Sequence, residues 1–253
     1  VRILISNDDG IDADGIAVLE EIARGISNDV WVVAPDIEHS GAGHSLSLHT
    51  PLRLKKRGEK RYSVAGTPTD SVLMAILEVM QDKPDLLLSG VNRGLNVAED
   101  VTYSGTIAAA MEGTLLDIPS IALSQQVKLN EEVHWDVPRR YASQIIVKLV
   151  ESGWPRGNLM NVNFPHCTPD EVDGVKICPQ GRRKIGEKLV KRTDPKGRDY
   201  YWIGGPGDEP YDDLPGADYM QIQKKRITVT PLSMDLTNYR VLEDVRAHFE
   251  GDA

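Results

Sequence analysis

The sequence predicts an α/β fold, a doubly wound and mostly parallel sheet, on three observations. Short apolar runs closed by turn residues alternate with segments whose apolar residues recur at helical spacing. The chain begins strand–helix–strand, which implies a parallel pair joined by a right-handed crossover. The polar residues with chemical potential gather at the carboxyl ends of the strands, where open parallel sheets bind ligands.

The elements follow in order. RILIS (2–6) is a buried strand, and GIAVLEEIARGI (15–26) places Ile16, Leu19, Ile22, Ala23 and Ile26 on one helix face. DVWVVAP (29–35) is a second strand rich in β-branched residues, so the chain opens with a right-handed βαβ unit. A Ser-, Gly- and His-rich loop (36–50) precedes a hairpin expected to turn near Arg57-Gly58. Thr67-Pro68-Thr69-Asp70 combines a cap residue, an N1 proline and an acid, and opens a helix running to about Met80. DLLLSG (85–90) is a strand, Ser104-Gly105-Thr106 starts the next helix, and 119–124, 135–151 and 159–165 read as strand, helix and strand.

After about residue 165 the texture changes to short strands, Pro, Gly and dense charge. The stretch 180–198 carries eight Lys or Arg and is followed by an acidic one, 208–218. This suits an extended β arm, or an arm that packs on a second subunit, with a last strand near 225–235 and a terminal helix over 237–249. The expected organisation is a single domain over 1–253, with a core over 1–165 and a C-terminal extension over 166–253.

Composition sets bounds. The length of 253 residues, with 40% apolar and 26% charged residues, is that of one large globular domain. A net charge of −9 argues against binding nucleic-acid polymers, because phosphate backbones need positive faces. No run approaches the roughly 18 apolar residues of a membrane helix. With no export segment before the first strand, and Cys167 and Cys178 unclustered, packed thiols in the cytoplasm are expected.

The chemistry begins at SNDDG. Asp8 and Asp9 are adjacent at the end of the first strand, and one acid suffices to make a turn. Asp12 and Asp14 are instead read as turn or cap residues. Ser40, in the loop after the second strand, and Asn92 and Asn96, after the strand at 85–90, open onto the same edge. Together they form a hard oxygen set suited to Mg²⁺ or Mn²⁺. No cluster of His and Cys at zinc spacing competes. A calcium-loop pattern matches at Asp12, Asp14, Gly15 and Glu21, but its first ligand position is Gly10, which has no carboxylate. A dinucleotide fingerprint is absent. The helix start at Ser104, Gly105 and Thr106 offers free amides and two hydroxyls to an anion. A hard cation beside an anion pocket indicates phosphoryl chemistry.

These residues resemble the SurE survival-protein nucleotidases. The resemblance is carried by RILISNDDGIDADGI, VVAPDIEHSGAGHSLSL, GTPTDSV, LLLSGVNRGLNVAEDVTYSGTIAAAMEG and ITVTPLSMDLT, in family order from residue 2 to about 237. It implies a Rossmann-like core with a C-terminal extension used in assembly of a homodimer or homotetramer. It also implies one divalent ion per subunit, Mg²⁺ or Mn²⁺, held by Asp8, Asp9, Ser40 and Asn92, with Asp8 and Asp9 catalytic. Asn96, Ser104, Gly105 and Thr106 match positions that line the family's phosphate pocket. The implied activity is hydrolysis of nucleoside 5′- and 3′-monophosphates, and of short polyphosphate in some members. Three positions depart from the family pattern: Leu95 and Ala98 replace Pro and Gly, and Ser71 replaces a common Cys. His44, at a position that varies in the family, is a further candidate acid.

Two rivals share the site. A receiver-like signalling module also binds Mg²⁺ at an acidic pair and accepts a phosphoryl group, but it needs a phosphoacceptor Asp and a Lys where this chain has Asn92 and Ser124. A phosphatase acting through an aspartyl-phosphate is the mechanistic rival.

Overall fold

The computed structural model describes residues 1–182, 189–204, 214 and 216–250. Part of the basic stretch (183–188) and most of the acidic one (205–213, 215) lie outside the described residues. A nine-stranded sheet forms the body. Its strands are β1 (Arg2–Ser6), β2 (Asp29–Pro35), β3 (Leu54–Gly58), β4 (Arg61–Val64), β5 (Leu86–Arg93), β6 (Ser120–Gln125), β7 (Asn158–Phe164), β8 (Val175–Ile177) and β11 (Ile227–Ser233). Two further strands, β9 (Leu189–Thr193) and β10 (Asp199–Ile203), pair as a separate antiparallel hairpin.

The order across the sheet is β3-β4-β2-β1-β5-β6-β7-β11-β8. From β1 the chain goes first to β2 on one side, then returns to β5 on the other, with both pairs parallel. The gap above β1 and β5 is therefore a topological switch point, the place where open α/β sheets hold ligands.

The helices are α1 (Asp14–Arg24), α2 (Pro68–Met74, continued as a π turn over Ala75–Val79), α3 (Gly105–Leu115), α4 (Asp136–Ser152), α5 (Asp218–Ile222) and α6 (Tyr239–Glu250). Strand alternation sorts the core into two layers. Ile3 and Ile5 pack with Ile16, Leu19 and Ile146 from α1 and α4 on one face. Leu4 faces the other way, with Val72, Ile107 and Ala110 from α2 and α3. The doubly wound expectation holds, and the helices cover both faces of the central strands.

Local chemistry explains the element ends. Thr67 accepts the Asp70 amide while Asp70 accepts the Thr67 amide, a complete capping box with Pro68 inside it. Ser71 is buried and donates to the Thr67 carbonyl, which satisfies its hydroxyl. Asp12 sits in the turn before α1 with its carboxylate on Arg57, and Asp14 opens the helix, but the cap position is Ala13 and no side chain caps it.

Two expectations shift. The β3–β4 turn falls at Glu59-Lys60, later than Arg57-Gly58, because a bulge between Lys56 and Gly58 carries the first strand on and Lys60 takes a left-handed φ of 52°. The strand expected to stop at Gly90 runs to Arg93. Its register against β6 slips between Ser89 and Asn92, and Gly90, at φ 131°, lies within the slip. The glycine that reads as a strand end is a bulge, and the strand resumes in time to carry Asn92.

The segment after 165 does not stay apart from the body. β11 pairs antiparallel with β7 and supplies Ile227 and Val229 to the core, and β8 pairs with β11. In this segment β8, the β9–β10 hairpin and α6 present no buried residue. Cys167 and Cys178 are buried free thiols. No described helix is long and apolar enough to cross a membrane.

Candidate active site at the switch point

The turn after β1 uses its neighbours to free its acids. The Asn7 side chain donates to the Gly10 carbonyl at 2.9 Å and accepts the Gly10 amide at 3.2 Å. Gly10 supplies the φ of 102° the turn needs. The amides of Ile11 and His39 bond to Pro35 and Asp8 carbonyls, tying this turn to the loop after β2. Asn7 and Gly10 thus close the turn and leave both carboxylates for other work.

The two acids have different surroundings. Asp8 is 4% exposed, and its Oδ1 accepts a hydrogen bond from the Thr106 hydroxyl. Gly105 lies against it so closely that a Cβ there would stand 2.7 Å from Asp8 Cβ and 3.0 Å from its Oδ2. Asp9 is half-buried, and its Oδ2 accepts the Arg93 amide from the end of β5 at 3.1 Å.

Burial pushes the Asp8 carboxyl up to about 6; the Thr106 hydroxyl opposes this and the Asp9 charge adds to it. Asp9 is also raised, by burial first and then by the Glu38 charge, against the Arg93 amide and the Arg93 charge.

Ser40 and Asp9 line one cleft of about 260 Å³ together with Glu38, Arg93, Gly15, Val133 and Trp135. Ser40 is exposed and donates to Glu38 at 2.6 Å. Asn92 turns its Nδ2 to the Gly94 carbonyl at 3.0 Å, which leaves Oδ1 as the oxygen to face a cation. α1 reaches this edge because Gly15 has no side chain; a Cβ there would stand 2.0 Å from the Val91 carbonyl.

The expected anion-binding residues split in two. Ser104 caps α3 by accepting the Ile107 amide at 3.1 Å, so its O–H remains to donate outward. Thr106 is fully buried and spends its hydroxyl on Asp8. Asn96 is fixed from every side: its amide bonds to Asn163 Oδ1, its Nδ2 to Ser124 Oγ, and its carbonyl accepts from Asn161 and Asn163. His44 faces Glu112 of α3 at 2.9 Å. Ala98 holds a left-handed φ of 52°, the conformation for which a glycine would be the easy residue, and its amide bonds to Asp218.

Several residues here escape sequence reading. Arg93 acts on Asp9 first through its backbone amide, which no residue type advertises, and then through its charge. Trp135 reads only as a helix start, although it walls the cleft. Asn161 and Asn163 read as polar residues within a strand, yet they anchor Asn96. The one available signal is position: every one of them lies at or near the same edge of the sheet.

The donor set fits a divalent cation. A buried carboxylate and an adjacent half-buried one, offset only in part by the Arg93 charge near Asp9 and joined by neutral oxygens from Ser40 and Asn92, are hard ligands carrying uncompensated negative charge. The switch reading finds no support, since Asn92 and Ser124 stand opposite one another at the ends of β5 and β6.

An α/β protein with this acidic pair against a helix start is of the metal-dependent phosphohydrolase class. Residues 3–187 match the family described as survival protein SurE, and the chain belongs to that family. It is 53% identical to the 5′-nucleotidase SurE of Paramagnetospirillum magneticum, over 94% of this chain and 92% of that one. Identity to the 5′-nucleotidase SurE of Rhodospirillum rubrum is 50%, over 98% and 96%. The crystal structure of the SurE protein from Aquifex aeolicus superimposes with a TM-score of 0.85 at 38% identity, covering 98% of this chain and 99% of that one.

Proposed function

We propose that this protein is a divalent-metal-dependent 5′-nucleotidase that hydrolyses nucleoside monophosphates to nucleoside and phosphate at the β1/β5 switch point. The observation that carries the reading is the packing of Asp8 on Gly105 and Thr106, which joins the carboxylate pair to the start of α3. The names of the relatives support the substrate class. 3′-Monophosphates and short polyphosphate belong to the same proposal.

Asp8, Asp9, Ser40 and Asn92 would hold the ion, Mg²⁺ or Mn²⁺. When bound, such an ion neutralises phosphoryl oxygens and makes water a better nucleophile. Thr106 holds Asp8 in one orientation, and Gly105 lets the helix start approach it. The α3 N-terminus, the Ser104 hydroxyl and the second Nδ2 hydrogen of Asn96 stabilise charge on the phosphoryl group. Asp9 opens onto the cleft and is the carboxylate placed to take a proton from water, whereas Asp8 is sealed by Thr106.

The chain acts as one domain with an assembling arm, as a homodimer or homotetramer. Trp202 and Ile203 in β10 and Phe249 in α6 are 64%, 74% and 79% exposed, apolar surface that a second copy would cover. The buried free thiols suit a cytoplasmic location.

Phosphate release from a panel of nucleoside 5′- and 3′-monophosphates, with Mg²⁺ or Mn²⁺, tests the reading. Many turnovers that stop on chelation are expected. Full activity in chelator, or a single phosphorylation per chain without turnover, would remove it.

A further inference from the structure

The sequence shows no histidine cluster at zinc spacing, yet the fold builds one. β6 and β7 are parallel neighbours, so the loop leaving β6 (126–135) and the residue after β7 meet at the same edge. Glu131 and His134 come from that loop and His166 from the end of β7, and their ligand atoms all lie within 4.8 Å of one another.

His166 is the anchor. Its backbone amide donates to Gln126 Oε1 at 2.9 Å, and its Nε2 stands 2.8 Å from Glu131 Oε2. Its Nε2, which faces Glu131, is the nitrogen the cluster can use, and the buried ring lies with its Nδ1 on the far side, away from Glu131 and without a hydrogen-bond partner. His134 meets the ring edge-on, with centroids 4.4 Å apart. Two imidazoles, one of them buried, converging with one carboxylate is more than a surface ion pair needs.

We infer that Glu131, His134 and His166 form a second metal site, selective for Zn²⁺, that is separate from the oxygen set at Asp8 and Asp9. Two nitrogens and one carboxylate oxygen suit zinc, with water in a fourth position, and suit Mg²⁺ poorly. Tetrahedral zinc with bonds of about 2.0–2.1 Å sets ligand atoms about 3.3 Å apart, so no pair in the cluster has to close by more than about 1.5 Å, a shift the partly exposed His134 and exposed Glu131 can make. The consequence reaches the cleft. Val133 and Trp135, which flank His134 in sequence, wall the cleft that Asp9 and Ser40 open onto. Zinc at this site ties the 126–135 loop to the end of β7 and fixes that wall.

The experiment is zinc titration of the full chain by competition with a chromophoric chelator, in excess Mg²⁺ so that the aspartate site is filled. One tight zinc per chain is expected. It is retained in Asp9→Asn and weakened in His134→Ala and Glu131→Gln by more than the about 10–100-fold typical of an outer-shell change. Both of those positions are accessible, so these variants avoid the folding risk of changing buried His166. Cobalt substituted at the site gives the intense absorption of low-coordinate nitrogen ligation, which His134→Ala removes. Hydrogen exchange over 126–135 slows when zinc is added. Absence of tight zinc, zinc lost in Asp9→Asn but kept in His134→Ala, or exchange unchanged over 126–135 would each overturn the inference.

Discussion

The switch point and the C-terminal arm are opposite kinds of surface. At the first, two acids are buried beside each other, and every neighbour that could relax, Asn7, Gly10, Gly105 or Thr106, is committed to holding them. In the arm, β9, β10 and α6 have no buried residue, and their apolar side chains face outward. One region is over-determined and holds more negative charge than Arg93 offsets; the other is well formed and lacks a cover. The difference teaches that a self-sufficient sheet can leave two separate demands unmet, each pointing to a different missing partner.

The largest effect is expected from Asp9→Asn. Loss of one of the two charged ligands should lower kcat/KM by about 10²–10³-fold or more, the scale of losing one group that meets charge in the transition state. The same change relieves repulsion with Asp8, so the metal-free variant should melt no lower than the wild type while activity is lost. A steady-state assay with thermal melting in chelator checks both. A large drop in melting temperature would show that the acidic pair is structural instead.

Gly105→Ala comes next. Ala is a better helix former than Gly by about 1 kcal/mol, so the helix itself gains. The new methyl would stand 2.7 Å from Asp8 Cβ and 3.1 Å from Pro68 Cγ, so Asp8 must move. A displacement near 1 Å costs on the order of 10²-fold in rate. Retained melting with a falling kcat supports the packing of Asp8 on α3; unchanged kcat would break it.

How much of this was legible in the sequence depends on distance along the chain. Asp8 and Asp9 are neighbours at a strand end, so their pairing could be read directly, and the capping box at Thr67 and Asp70 could be read from spacing. Ser40 and Asn92 were reached by collecting strand ends and then by resemblance. The extension of β5 past Gly90 was hidden, because a glycine that ends a strand and one inside a bulge look the same in sequence. Glu131, His134 and His166 were illegible because only the adjacency of β6 and β7 joins residues 32 positions apart. Sheet order, which places distant loops together, is the information a single sequence holds least openly.

The arm gives a third way to sharpen the contrast. Trp202→Ser with Ile203→Ser should shift sedimentation toward the monomer. Neither residue touches the core, so the melting of the body should change little at high protein concentration. Dissociation without loss of fold would support a second copy as the cover of this surface; an unchanged assembly would move the interface to another face.

The smallest effect concerns the amino end of β1 and β2, far from either region. Asp29 accepts from Arg2 Nε at 2.8 Å, Lys60 Nζ at 2.8 Å and Trp31 Nε1 at 2.9 Å. The hydrogen bonds from Lys60 and then Arg2 hold its carboxyl well below the usual carboxylate range. A depressed acid stabilises the fold above its unfolded value, near pH 4, and that contribution is lost as pH falls below it. Asp29→Asn should therefore cost stability at neutral pH, with the difference from wild type closing as the pH is lowered below about 4. The side chain is 33% exposed and its ion pairs are screened, so the loss is at most about 1 kcal/mol. Urea midpoints across pH 2–7 measure it. A difference that stays constant through the acid range would show that Asp29 acts by packing and polar geometry, leaving the charge without a role.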